Sequence, residues 1–372
     1  MFPVINDVQT QIIDIPTIRP HRLSNATMGS QSMVLVRIVC SDDVIGIGEA
    51  TTIGGLNYGG ESPESIKQNL DTYFKPLLVG KPADALARLR GQINKAIQEN
   101  RFAKSAVETA LYDAYAKRLG VPLGSLFGGQ VHDRISVAWT LASGDTEADI
   151  AEAQQMMELG RHNIFKLKIG LREPKDDLAH IHRIKQSVGD DVSIRVDINQ
   201  GWTETQAVRY LQALADVGVE LVEQPIHGKN FEGMARLTAL GRVPIMADEA
   251  LASVADGFRM AAGHCANVFA VKIEQMGGLQ NARDLIGIAQ AADIALYGGT
   301  MLEGPISTIA AAHLFSTIEK FEWGTEMFGP LLLKEEILAT PLDYRDFHLV
   351  LPTGPGLGIT LDEDKLAHYA RK

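Results

Sequence analysis

Five short apolar runs, each ending in a charged residue, recur through the middle of the chain. They are FKLK at 165–168, SIRVD at 193–197, LVE at 221–223, IMAD at 245–248 and VFAVK at 268–272. The last four follow one another at steps of about 25 residues, the length of one strand, one helix and two loops. Helical patterns fill the gaps, and regular alternation of this kind confines the chain to a parallel α/β barrel of the TIM type. The C-terminal ends of all strands in such a barrel open at one mouth. Lys166, Lys168, Asp197, Glu223, Asp248 and Lys272 are therefore expected to converge there.

Eight strand candidates are legible, at 137–143, 165–169, 193–197, 221–224, 245–249, 268–273, 294–299 and 321–326. A barrel takes roughly 250 residues, and the chain has 372. Upstream, strands at 4–14, 33–40 and 44–50 have short connections and read as a meander. Helices follow, one opened by Ser62-Pro63 and others near 84–98 and 102–119, with Ala106, Ala110 and Ala114 at helical spacing. Thr203 and Gln206 form a capping box that opens the helix after the Asp197 strand. The expected organisation is an N-terminal α+β domain over residues 1–130, a barrel over 131–335 and a C-terminal segment, 336–372, that packs back beside the N-terminal block. Pro341, Pro352 and Pro355 keep that last segment from continuing the barrel pattern.

A net charge of −11 repels phosphate backbones and argues against nucleic-acid partners. No run of about 18 apolar residues is present, so no membrane span is expected. The N-terminal stretch lacks the pattern of a signal peptide. Cys40 and Cys265 are the only cysteines, which suits a reducing cytoplasm and excludes a disulfide framework.

Three acids at the ends of consecutive barrel strands, Asp197, Glu223 and Asp248, would repel one another strongly in a partly desolvated mouth. A divalent cation resolves that repulsion. Oxygen ligands without His or Cys favour Mg²⁺ or Mn²⁺ over zinc. Asn199 and Glu249 lie one or two residues further along and are candidate supports for these ligands. Lys166 and Lys168 are two apart on one strand, so both face the barrel interior. Lys272 enters four strands later, from the opposite wall. Burial and a nearby cation are expected to lower the lysine pKa values and fit them for acid–base work. Glu326 ends the eighth strand beside the first and is placed to pair with Lys166 or Lys168. A cation with flanking lysines suits proton transfer at the carbon α to a substrate carboxylate, through an enediolate. The glycine-rich segment TTIGGLNYGG at 51–60, with Ile53, Leu56 and Tyr58, is expected to cap the mouth. His21 and Arg22 are candidates for a second such loop.

These residues resemble a known family. GEATTIGG (48–55), FKLKIG (165–170), RVDIN (195–199), EQP (223–225), IMADE (245–249), LYGGTMLEG (296–304) and PGLG (355–358) are similar to the muconate-lactonizing branch of the enolase superfamily, across nearly the whole chain. The first and the LYGGTMLEG segment resemble its cycloisomerases. The resemblance implies a capping domain over a modified (β/α)7β barrel, with the C-terminal tail joining the cap. It implies Mn²⁺ on Asp197, Glu223 and Asp248, with Mg²⁺ as the other candidate. Lys168 becomes the general acid/base, flanked by Lys166 and Lys272, and Glu326 matches the family's eighth-strand carboxylate. Ile53, Tyr58 and Phe328 match the substrate-binding pattern for unchlorinated muconate. A homo-oligomer, an octamer by resemblance, and a small dicarboxylate substrate follow. Glu274-Gln275-Met276 departs from the pattern and has no assignable role. Chloromuconate cycloisomerase is an alternative activity. Racemase or epimerase chemistry is another, since Lys168 and Lys272 could serve two faces. The WGTE at 323–326 and the absence of His in IALYGG at 294–299 argue against the epimerases and dehydratases. A catalytically silent barrel is the reading from a different class.

Overall fold

The computed structural model describes residues 3–22, 27–56 and 58–372, with only the backbone of Arg22, so Arg22's side chain and Asn57 of the glycine-rich segment lie outside the described residues. The chain begins with an antiparallel meander, β1 (Ile5–Arg22), β2 (Thr27–Cys40) and β3 (Ile45–Thr52). The helix Arg101–Leu119 packs across this sheet through the small face formed by Ala106, Ala110 and Ala114. The approach is so close that a Cβ at Gly46 or Gly48 would stand 1.9 Å from the Ala110 or Ala106 carbonyl oxygen. Only glycine fits there. Ser62 caps the helix Pro63–Asn69, as the sequence predicts.

The short strand β4 (Arg134–Ser136) leads into seven parallel strands. These are β5 (Trp139–Leu141), β6 (Ile164–Lys168), β7 (Ser193–Asp197), β8 (Val219–Glu223), β9 (Ile245–Ala247), β10 (Val268–Val271) and β11 (Ala295–Gly298), neighbours in chain order. The expected eighth strand at 321–326 is reduced to a single residue. Gly324 turns the backbone at φ 63°, and only Thr325 bridges, to Gly298 on one side and Val137 on the other. Those bridges still close the ring. Ala138 donates to the Thr325 carbonyl at 2.7 Å, and Glu326 donates to that of Gly298 at 2.8 Å. The fold is thus a modified barrel with an α+β domain on top.

Past the barrel, β12 (Tyr344–Arg345) and β13 (His348–Val350) form a second small sheet with β4. The terminal residues then return to the meander. Arg371 donates its amide to Ile12 O at 2.9 Å and forks onto Asp14.

Candidate active site

Parallel register sets the site. Lys168, Asp197 and Glu223 are direct neighbours across β6, β7 and β8. Asp248 and Lys272 follow the last residues of β9 and β10. All but Lys168 are almost wholly buried, whereas the Lys168 side chain keeps 17% exposure.

Each acid meets an ammonium group. Lys168 Nζ lies 2.5 Å from Asp197 Oδ2 and 3.1 Å from Asn199 Oδ1. Lys166 Nζ is 2.8 Å from Glu223 Oε2 and also donates to Glu326 Oε2, whose other oxygen accepts from Thr140 Oγ1 at 2.6 Å. Lys272 Nζ reaches Asp248 Oδ2 at 2.6 Å. The Tyr58 hydroxyl, brought down by the 51–60 segment, donates to that same oxygen at 2.7 Å. Asn199 links its amide to Asp197 Oδ1 at 2.8 Å and its side chain to Glu249 Oε1 at 3.2 Å.

Around Lys166 and Lys272 the protein's own charges act against the expected lowering, for which a bound cation was counted as well as burial. Burial opposes the Lys166 ammonium, but Glu223, Glu326, Tyr297 and Asp197 outweigh it and hold its pKa well above the ordinary lysine value. Lys272 is raised likewise, chiefly by Asp248 against burial. Among the acids, Glu223 is pushed well up by burial and by the Asp197 charge beside it. Asp197 is also penalised by burial, yet Lys168 and Lys166 bring it below the usual range.

Among the described residues, no three acids, histidines or cysteines are arranged as a ready metal cage, because the carboxylates are turned onto lysines. The donor set nevertheless fits a hard divalent cation. Asp248 Oδ1 is buried without a hydrogen-bond partner among the described residues, Glu223 is crowded by like charge, and all three acids line one cavity. An unsatisfied buried carboxylate oxygen is costly unless something compensates it. Asp197, Glu223 and Asp248 are the residues that could hold the ion.

That cavity measures about 30 Å³ and is also lined by His21, Ile53, Tyr58, Thr300 and Leu302. With Ile53, Tyr58 and the lysine side chains as they stand, it has room for a water-sized group. Burial, with Arg19 and the two lysines nearby, holds His21 well below the ordinary histidine pKa, so it presents a neutral ring. Phe328 does not line the cavity. It is fully buried behind it, 4.9 Å from the Trp139 ring and 6.2 Å from that of His21.

Several positioning residues escaped the sequence reading. Gln224, in EQP, accepts the amides of Asp248 at 2.9 Å and Ala250 at 3.2 Å. Gln275 donates to the carbonyls of Asp248 at 2.9 Å and Leu251 at 3.0 Å, which gives that departing segment a role. Thr300 and Leu302 lay within a quoted motif, but nothing in LYGGTMLEG marks them as cavity wall.

Residues 7–128 match the mandelate racemase / muconate lactonizing enzyme N-terminal domain, and residues 148–365 match the enolase C-terminal domain-like model. The chain belongs to the mandelate racemase / muconate lactonizing enzyme family. Within this family, it is 58% identical over 371 residues to muconate cycloisomerase 1-2 of Acinetobacter lwoffii, covering 99% of this chain and 95% of that one. A chloromuconate cycloisomerase of Pseudomonas putida is 43% identical over 367 residues, with 99% of each chain covered. Among solved structures, the muconate lactonizing enzyme from Pseudomonas fluorescens complexed with muconolactone matches with a TM-score of 0.98, 52% identity and all of both chains covered.

Proposed function

We propose that this protein is a muconate cycloisomerase, converting cis,cis-muconate to muconolactone in catechol degradation. The observation that carries the reading is Lys168 beside the acid trio, in a fold that matches the muconolactone-complexed enzyme from end to end. A divalent cation on Asp197, Glu223 and Asp248, Mn²⁺ in preference, supplies electrostatic stabilisation for charge that collects on a carboxylate during the reaction.

The chain's own residues do the rest. One substrate carboxylate oxygen adds to the distal double bond, at the carbon β to the other carboxylate. The electron pair moves to that carboxylate as an enediolate. Lys168, the least buried lysine of the cavity, gives its proton to the α-carbon, and the lactone is complete. The dianion gains one proton and loses nothing. Lys166, tied to Glu223 and Glu326, adds fixed positive charge under the substrate, and Lys272 adds it from the far wall. The neutral ring of His21 and the aliphatic Ile53 help exclude water from the developing charge.

Replacing Lys168 with Ala is expected to abolish lactone formation while leaving metal binding largely intact. Near-normal turnover in that variant would reject Lys168 as the proton carrier. The lower identity to the chloromuconate enzymes favours the unchlorinated substrate, and assaying 3-chloromuconate beside cis,cis-muconate separates the two.

A further inference from the structure

Leu302 stands in the left-handed backbone region, at φ 58°. A branched residue there is strained, and such strain persists only where surrounding structure imposes it. The imposing contacts come from the N-terminal domain. Gln31 of β2, itself buried, donates its side-chain amide to the Leu302 carbonyl at 2.7 Å and to that of Met301 at 3.4 Å. Glu49 of β3 accepts the amides of Gly304 at 2.6 Å and Ile306 at 3.2 Å. Inside the loop, Leu302 donates its amide to Thr300 Oγ1 at 2.8 Å, and Glu303 accepts the Met301 amide at 2.7 Å. A Cβ at Gly304 would meet both Glu49 carboxylate oxygens at 2.9 Å, so the fit tolerates little displacement.

The outcome of this clamping is chemical. Among the described residues, Ile53 and Leu302 are the two aliphatic ones that line the cavity, among lysines, acids and small polar groups. Ile53 belongs to the segment that covers the mouth, and Leu302 to the barrel wall after β11. An unsaturated carbon chain flanked by two carboxylates needs such apolar contact between its charged ends. The geometry points to Leu302 as a specificity-determining residue that seats the apolar carbon chain of the substrate, with Gln31 and Glu49 as positioning residues that force its strained conformation from the other domain. This rests on the muconate reading and deepens it. Because an apolar wall touches ground and transition states alike, its loss should appear mainly in KM.

The test uses the full-length, manganese-loaded protein and three variants. Leu302→Gly removes the side chain and relieves the backbone strain, since glycine adopts positive φ freely. The lost packing of a residue only 4% exposed should still lower its Tm below that of the parent, while KM for cis,cis-muconate rises roughly tenfold or more with a smaller change in kcat. Leu302→Ala loses nearly the same packing and keeps the strain, so the same rise in KM should come with a Tm below that of Leu302→Gly. Gln31→Leu should raise KM in the same direction although it touches no substrate. An equal rise in KM in two variants of different Tm is a signature that a purely structural leucine would not give. If the parent turns over muconate and Leu302→Gly keeps its KM within twofold, this proposal is overturned and the muconate reading stands. If the parent shows no turnover on muconate, both are overturned.

Discussion

Asp248 is the most exposed to test of the three candidate ligands, because among the described residues one of its oxygens has two partners and the other has none. Oδ2 takes both Lys272 and Tyr58, and Oδ1 is buried and unpaired. Burial, with Asp248 itself next, raises the Tyr58 pKa well above its ordinary value, so the hydroxyl stays protonated and can only donate to that carboxylate. If Oδ1 faces a bound cation, Asp248→Asn should weaken Mn²⁺ binding at least about tenfold, as read by calorimetry or by the paramagnetic signal of free Mn²⁺. Unchanged affinity would remove Asp248 from the ligand set. At this scale the sequence was informative where charge was concerned. Acids and lysines at strand ends announce themselves by position. Leu302 and Gln31 do not, because their roles depend on a backbone angle and on a contact between residues some 270 positions apart. The carboxylates' pull on Lys166 and Lys272 was not legible for a related reason. Position predicts burial, but the sign of the shift depends on which carboxylate oxygen each ammonium reaches.

At the level of elements, the barrel strands were readable because their period is set by the geometry of strand, helix and loops. Their lengths were less so. β9 ends at Ala247 and β10 at Val271, which leaves Asp248 and Lys272 just outside the ladder, and Gln224 and Gln275 fix the Asp248 backbone instead. The eighth strand failed as a strand because Gly324 turns between Trp323 and Thr325. The small sheet of β4, β12 and β13 had no local signal, since its strands are two or three residues long and β4 lies far in sequence from the β12–β13 hairpin that it joins. Helix ends offer a prediction of their own. Glu108 reaches from the N-terminal domain to accept the Gln280 amide at 2.8 Å, in the first turn of the helix Leu279–Ala291. Burial pushes its carboxyl up to about 7, against the Gln280 amide and Arg90. A folded-state pKa above the unfolded value means that the native state binds this proton more tightly. The contribution is full below the unfolded value and is lost as pH rises through about 7. Glu108→Gln keeps an acceptor for Gln280 without the charge. Its Tm relative to the parent should therefore climb between pH 5 and pH 8, by on the order of 5 °C. A difference that does not change with pH would show that Glu108 is not held protonated by the fold.

Over the whole molecule, the site is a joint product of two domains. The barrel aligns acids and lysines by register, and the N-terminal domain supplies the lid segment, the neutral His21 and the clamp on the 300–304 loop. The two domains are bound by buried hydrogen bonds as well as apolar packing, with Glu49, Gln31 and Glu108 each crossing between them. That arrangement explains why the regular middle of the sequence disclosed the chemistry, whereas the wall that selects the substrate did not show itself. The most direct test follows the ultraviolet absorbance of cis,cis-muconate on adding the protein as purified, after chelator treatment, and after Mn²⁺ is restored. The account predicts steady loss of muconate, its arrest by chelator, and its recovery with Mn²⁺. Muconate consumed at an unchanged rate after complete metal removal, or not consumed under any of the three conditions, would contradict it.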